Sequence, residues 1–176
     1  MAKYTKQDIT YLQIARAISQ NSRCLSRHIG AIIVKNGKII SSGYNGPPLP
    51  LPDCSYRSDD GQILSGRFRR SSVCPRYRDN KDSHGKKIDM CWAVHAERAA
   101  ILNAIDMGVS VRGGTLYCSC GPPCKECILE LLHVGINKIV CYDAPFYTRG
   151  AEKLIKNLLS KNYIALILVP IEEVQE

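Results

Sequence analysis

A histidine and a pair of cysteines, each placed where a helix begins, constrain this chain more than any other feature. His95-Ala96-Glu97 opens a stretch with helical apolar spacing, 95–107, closed by Gly108. Pro122-Pro123-Cys124 opens a second, 124–134, closed by Gly135, with Cys127 one turn in. Two cysteines three positions apart on a helix turn both sulfurs to one side. The partial positive charge of a helix N-terminus favours thiolate over thiol. Proline fits just ahead of such a helix, where a missing N–H does least harm. His95, Cys124 and Cys127 together offer one imidazole and two sulfurs. That set leaves a fourth tetrahedral position on zinc open for water, as a catalytic site requires, and zinc makes hydroxide available near neutral pH. Glu97, two residues beyond His95, is near the ion without being forced to ligate it. It is assigned as the proton carrier. Alone, C-x-x-C reads equally as structural zinc or a redox pair, and a lone H-x-E as nothing. Their conjunction at two helix starts, with a strand ahead of the second, is the specific signal.

The remaining elements surround this pair. Tyr11, Ile14, Ala15 and Ile18 share one face of a helix over 7–20, and Thr5 with Asp8 forms a capping box at its start. Strands are read over 29–35 and 38–44, joined by Asn36-Gly37, a strong hairpin signal. Further strands are read over 115–120, 138–142 and 163–169, with a helix over 151–160. The order is α-β-β-α-β-α-β-α-β. The last two strands are separated by a helix long enough for a crossover and are expected to be parallel. The polar stretch 46–90, rich in Pro, Ser, Arg and Asp, is too long for an ordinary loop. It is read as an insertion in a single domain spanning 1–176.

Nine cysteines in 176 residues need an explanation. An odd number, without a secretion signal, argues against a disulfide framework and for metal in a reducing compartment. No apolar run is long enough to span a bilayer, and the chain is read as cytoplasmic. The net charge of +8 fits a basic solvated surface or an anionic partner, either a phosphate-bearing small molecule or a nucleic acid.

H-x-E … P-C-x-x-C is a pattern already known from zinc deaminases. With Val94-His95-Ala96-Glu97, Thr115-Leu116-Tyr117, Pro123-Cys124-Lys125-Glu126-Cys127 and Gly135-Ile136-Asn137-Lys138-Ile139-Val140, the chain resembles the cytidine/deoxycytidylate deaminase superfamily over nearly its whole length. Gly43-Tyr44-Asn45-Gly46 and the cysteine-bearing insertion are most similar to the deoxycytidylate deaminases of bacterial and bacteriophage type. The resemblance implies a three-layer α-β-α fold around a five-stranded mixed sheet, with the two metal-bearing helices on one face. It implies hydrolysis of dCMP to dUMP and ammonia by a zinc-activated hydroxide, with dUMP feeding dTTP synthesis. Asn45 would bind the sugar hydroxyl and the Ala96 backbone would hold the ring. Tyr147 reads as an aromatic near the base or as an ordinary half-buried tyrosine, and Asn45 also suits a turn.

A second, structural zinc is expected on Cys24, Cys54, Cys74 and Cys91, with His84 as the substitute. An insertion that buries little apolar surface gains order from a metal cross-link; the bland alternative is a set of buried free thiols. Cys118, Cys120 and Cys141 fall on strand readings and suit core packing. The resemblance also implies a hexamer activated by dCTP and inhibited by dTTP. The triphosphate, with Mg2+, would sit near Arg23, Arg27, Gly43, Tyr44 and Gly46. Arg67, Arg69, Arg70, Arg76 and Arg78 are read as phosphate contacts or a solvated face. Two departures from the deoxycytidylate pattern stand out. The usual continuation is His-Ala-Glu-x-Asn-Ala, whereas here Arg98-Ala99 follows Glu97, more like cytidine deaminases, and 118–122 is one residue longer than the usual approach to Pro-Cys. Both leave nucleotide versus nucleoside open, with a tRNA or other nucleic-acid base deaminase, and a non-catalytic zinc module, as further alternatives.

Overall fold

The computed structural model describes residues 3–56, 74, 91–146 and 148–175. Its elements are α1 (Lys6–Ser19), β1 (Gly30–Lys35), β2 (Lys38–Tyr44), α2 (Ala96–Asp106), β3 (Thr115–Cys118), α3 (Lys125–His133), β4 (Lys138–Tyr142), α4 (Arg149–Ser160), β5 (Ala165–Val169) and α5 (Ile171–Gln175). The order matches the sequence reading, with α5 added after Pro170. The expected insertion, 46–90, lies largely outside the described residues.

The strands form one five-stranded sheet in the order β2-β1-β3-β4-β5. β1 runs antiparallel to both of its neighbours, β2 and β3. β3, β4 and β5 are parallel, because α3 and α4 carry the chain back between them. The parallel half is therefore one strand larger than the pair expected. The β1–β2 register slips between Ile33 and Val34, an irregularity that the hydrophobic pattern does not announce.

Alternation with a period of two divides the core into two layers. Ala31, Ile33, Leu116, Cys118, Ile139 and Cys141 point to the side covered by α2, α3 and α4. Ile32, Val34, Tyr117, Val140, Ile167 and Val169 point to the side covered by α1 and α5. The result is a three-layer α-β-α sandwich with α2 and α3, which begin at His95 and Cys124, on one face, as expected of the fold.

Two glycines set the distance of the helices from the sheet. A Cβ on Gly30 would stand 2.0 Å from the Ala15 carbonyl oxygen in α1, and one on Gly43 would stand 2.3 Å from the Ala100 nitrogen in α2. Two hydrogen bonds fasten α2 where Gly43 admits it: Ser41 Oγ donates to the Ala100 carbonyl at 2.7 Å, and Asn103 Nδ2 to that of Ser42 at 2.7 Å.

Candidate active site

β3 ends at Cys118, two residues before its expected end. The chain then bends through Ser119–Gly121 and enters α3 at Cys124. This bend, at the carboxyl end of a parallel strand, is where open α/β sheets place their ligand sites. His95 is the N-cap residue of α2 and Cys124 that of α3, both with extended backbone and neither making a side-chain capping bond. Each side chain is thereby released from the local task usual at its position and turns toward the other helix. The predicted helix starts were correct to one residue.

His95 Nδ1 stands 3.4 Å from Cys124 Sγ and 3.3 Å from Cys127 Sγ. All three donor atoms lie within 4.8 Å of one another. Tetrahedral zinc, with bonds of about 2.3 Å to sulfur and 2.0 Å to nitrogen, puts such atoms about 3.5 Å apart. The two nitrogen–sulfur separations therefore suit a shared zinc ion. Its electrostatics agree. The Cys124 thiol is pulled down to about 5, chiefly by a hydrogen bond from Cys127, against the effect of burial and with help from His95. Cys127 moves up as the partner that keeps the proton. His95 is raised, first by its hydrogen bond to Cys124.

Glu97, 4 % exposed, lies behind this triad. Burial pushes its carboxyl up, and its own backbone N–H and His95 pull back only in part. An open cleft lies above it. His95, Ala96, Glu97, Cys124, Asn45 and Arg27 are among the residues that line it.

Asn45 is buried at the rim, and its amide oxygen accepts hydrogen bonds from Ser22 Oγ at 2.7 Å and the Ile29 N–H at 2.8 Å. Its nitrogen donates to the Arg27 carbonyl at 2.8 Å. A side-chain amide has two donor hydrogens, so among the described residues one N–H is left to offer a ligand. Arg23, expected near a triphosphate, holds the following loop. It pairs with Asp53 and donates to the carbonyls of Pro47 and Leu51. Gly43 serves the close packing of α2, Tyr44 is half-buried, and Gly46 pairs with Val94.

The cysteines expected to hold a second metal gather in part. The Cys54 thiol is raised first by a hydrogen bond to Cys24, then by burial, with Cys74 near enough to add repulsion. Cys24, Cys54 and Cys74 are all buried, whereas Cys91 is half-buried and lines the cleft beside Cys24. His84, Tyr147, Arg67, Arg69, Arg70, Arg76 and Arg78 lie outside the described residues. Cys118 and Cys141 pack in the core as expected, but Cys120 does not sit on a strand. It lies in the bend and lines the cleft. The sequence reading also missed an ion pair between the two ligand-bearing helices. Arg98 Nε donates to Glu130 Oε2 at 2.9 Å, with a second contact from its Nη2. Arg98 stood out only as a departure from a pattern.

Residues 5–143 match the family model described as the cytidine and deoxycytidylate deaminase zinc-binding region. The chain belongs to the cytidine and deoxycytidylate deaminase family. Among curated members of this deaminase family, the deoxycytidylate deaminase of Enterobacteria phage T4 is 34% identical over 167 residues, 84% of each chain. That of Mycobacterium phage D29 is 31% identical, over 76% of this chain and 91% of its own. The fold is shared with the solved structure of dCMP deaminase from cyanophage S-TIM5 in complex with dCMP and dUMP. The TM-score is 0.64 at 24% identity, covering 94% of this chain and 100% of that one.

Proposed function

We propose that this deaminase converts dCMP and water to dUMP and ammonia. The observation that carries the reading is the convergence of His95 Nδ1, Cys124 Sγ and Cys127 Sγ beside a buried Glu97, on the floor of an open cleft. The name of the phage T4 relative and the dCMP and dUMP bound by the cyanophage protein support dCMP as the substrate. His95, Cys124 and Cys127 would hold one zinc ion, which when bound supplies hydroxide near neutral pH. Glu97 accepts the proton of the attacking water, passes it to N3 of the ring, and then assists the amine to leave as ammonia. Burial keeps its carboxyl basic enough to take a proton and close enough to return it. The Ala96 backbone borders the ring, and the remaining Asn45 N–H donates to a sugar hydroxyl.

Finer parts of the same reading are a structural zinc on Cys24, Cys54, Cys74 and Cys91, a cytoplasmic location, a hexamer, and control by dCTP and dTTP with Mg2+. Among the described residues no helix is long and apolar enough to cross a membrane. A substrate panel tests the central claim: dCMP, CMP, deoxycytidine, cytidine and an anticodon stem-loop, each with and without dCTP or dTTP. The expected result is fastest turnover of dCMP, lost on removing metal with a chelator and restored by zinc. Faster turnover of a nucleoside or of the RNA overturns the assignment.

A further inference from the structure

The floor of the cleft carries a second cluster of metal donors, distinct from His95, Cys124 and Cys127. A Glu97 carboxylate oxygen, Cys118 Sγ and Cys120 Sγ all lie within 4.8 Å of one another. The local backbone explains the meeting. β3 ends at Cys118, and the bend that follows turns Cys120 back toward it. Glu97, in the first turn of α2, is buried on the same side of the sheet as Cys118. The two sulfurs stand 3.3 Å apart. Two thiolates on one tetrahedral zinc stand about 3.7 Å apart at bonds of about 2.3 Å. Opening by a few tenths of an ångström therefore seats an ion. Cys118 is fully buried, whereas Cys120 lines the cleft, so an ion arriving from solvent meets Cys120 first.

We infer that Glu97, Cys118 and Cys120 form a second, inhibitory site for a soft divalent cation: zinc in excess of that held by His95, or cadmium. Two thiolates with one carboxylate select such ions over magnesium or calcium. On binding, the two thiols release two protons to solvent and the carboxylate becomes a ligand. A carboxylate committed to a cation no longer carries protons, so turnover stops while the first metal stays in place. The effect on turnover rests on the reading of Glu97 as the proton carrier; the binding itself does not.

The experiment titrates cadmium chloride into the zinc-loaded protein under a phosphine reductant. Three signals are followed: ultraviolet cadmium–thiolate absorbance, zinc and cadmium per chain by native mass spectrometry, and dCMP turnover. The expected result is one added cadmium per chain with zinc content unchanged. Absorbance rises as turnover falls at least tenfold, and a competing dithiol restores the rate. The double variant Cys118→Ser/Cys120→Ser should lose both the added cadmium and the inhibition, relative to its own untreated rate. Cys120→Ala alone, which leaves the buried position intact, should weaken both at least tenfold. Displacement of zinc by cadmium, or equal binding and inhibition in parent and variants, overturns the site. Absence of turnover before any cadmium is added counts against the deaminase reading instead, and the binding curve still reports on Cys118 and Cys120.

Discussion

Two carboxylates are buried on opposite faces of this sheet, each 4 % exposed, and their surroundings treat them in opposite ways. Asp8, under α1, accepts from the Thr5 N–H at 2.8 Å, the Thr5 hydroxyl at 2.7 Å and the Tyr117 hydroxyl at 2.9 Å. Burial alone would raise it, but these donors outweigh burial and hold it below its ordinary value. Glu97, behind the His95 cluster, has its own backbone N–H and the Cys127 thiol, and burial wins. A buried carboxylate supplied with donors stays charged and fastens the fold. One left short of donors has a reason to take up a proton or to favour a cation beside it. On the proposed reading the two faces divide the work, one holding the sheet together and the other carrying the chemistry.

The comparison breaks first at Glu97. Glu97→Gln should lower kcat on dCMP by about 10²–10⁴-fold with metal content and melting temperature preserved; near-normal turnover removes Glu97 from the proton path. Gly43→Ala comes next. Its Cβ drives α2 off the sheet, and a shift of about 1 Å at reacting groups costs on the order of 10²-fold in rate. The mirror variant, Gly30→Ala, pushes α1 instead and should lower the melting temperature with far less change in kcat. Equal kinetic losses in the two glycine variants would show that the faces are not separable.

Asp8→Asn is expected to destabilise by about 1–3 kcal/mol at neutral pH, read from chemical denaturation, with kcat largely kept. The sign of its pH dependence follows from the direction of the shift. A carboxyl lowered by folding stabilises fully above its unfolded value of about 3.9, and that contribution fades as pH falls through the lower folded value. Parent and variant should therefore converge in acid, and a gap that widens there contradicts the assignment. The smallest effect belongs to Arg98→Ala. Its pair with Glu130 is partly exposed on both sides, so less than about 1 kcal/mol is expected.

The sequence made the site legible to the extent that its parts are local. Cys124 and Cys127 share a helix turn, His95 and Glu97 another, and capping and proline signals placed both helix starts to within a residue. Asp8 was visible only as half of a capping box with Thr5, which the structure contains. Its bond to Tyr117, 109 positions away, leaves no local trace. Cys120 was read as a strand residue because period-two alternation runs on through Cys118-Ser119-Cys120, while the backbone bends away after Cys118. α5 is a single short turn region with no apolar period to detect, and it forms because Val174 finds cover against the α1 layer. Side-chain partners that cross the sheet are set by packing, and a linear pattern does not contain them.

Gly46 and Val94 exchange both backbone hydrogen bonds, at 3.2 and 2.9 Å. Asn45 and His95 are the residues immediately outside that clasp. Everything between 46 and 94 therefore departs from and rejoins the sheet at one doorway whose posts also bear the cleft. Because closing a loop grows more costly only slowly with length, a change in the number of residues between the posts would alter the cost of bringing them together only slightly. The spacing of the two posts, and with it the alignment of rim and metal, would survive the change.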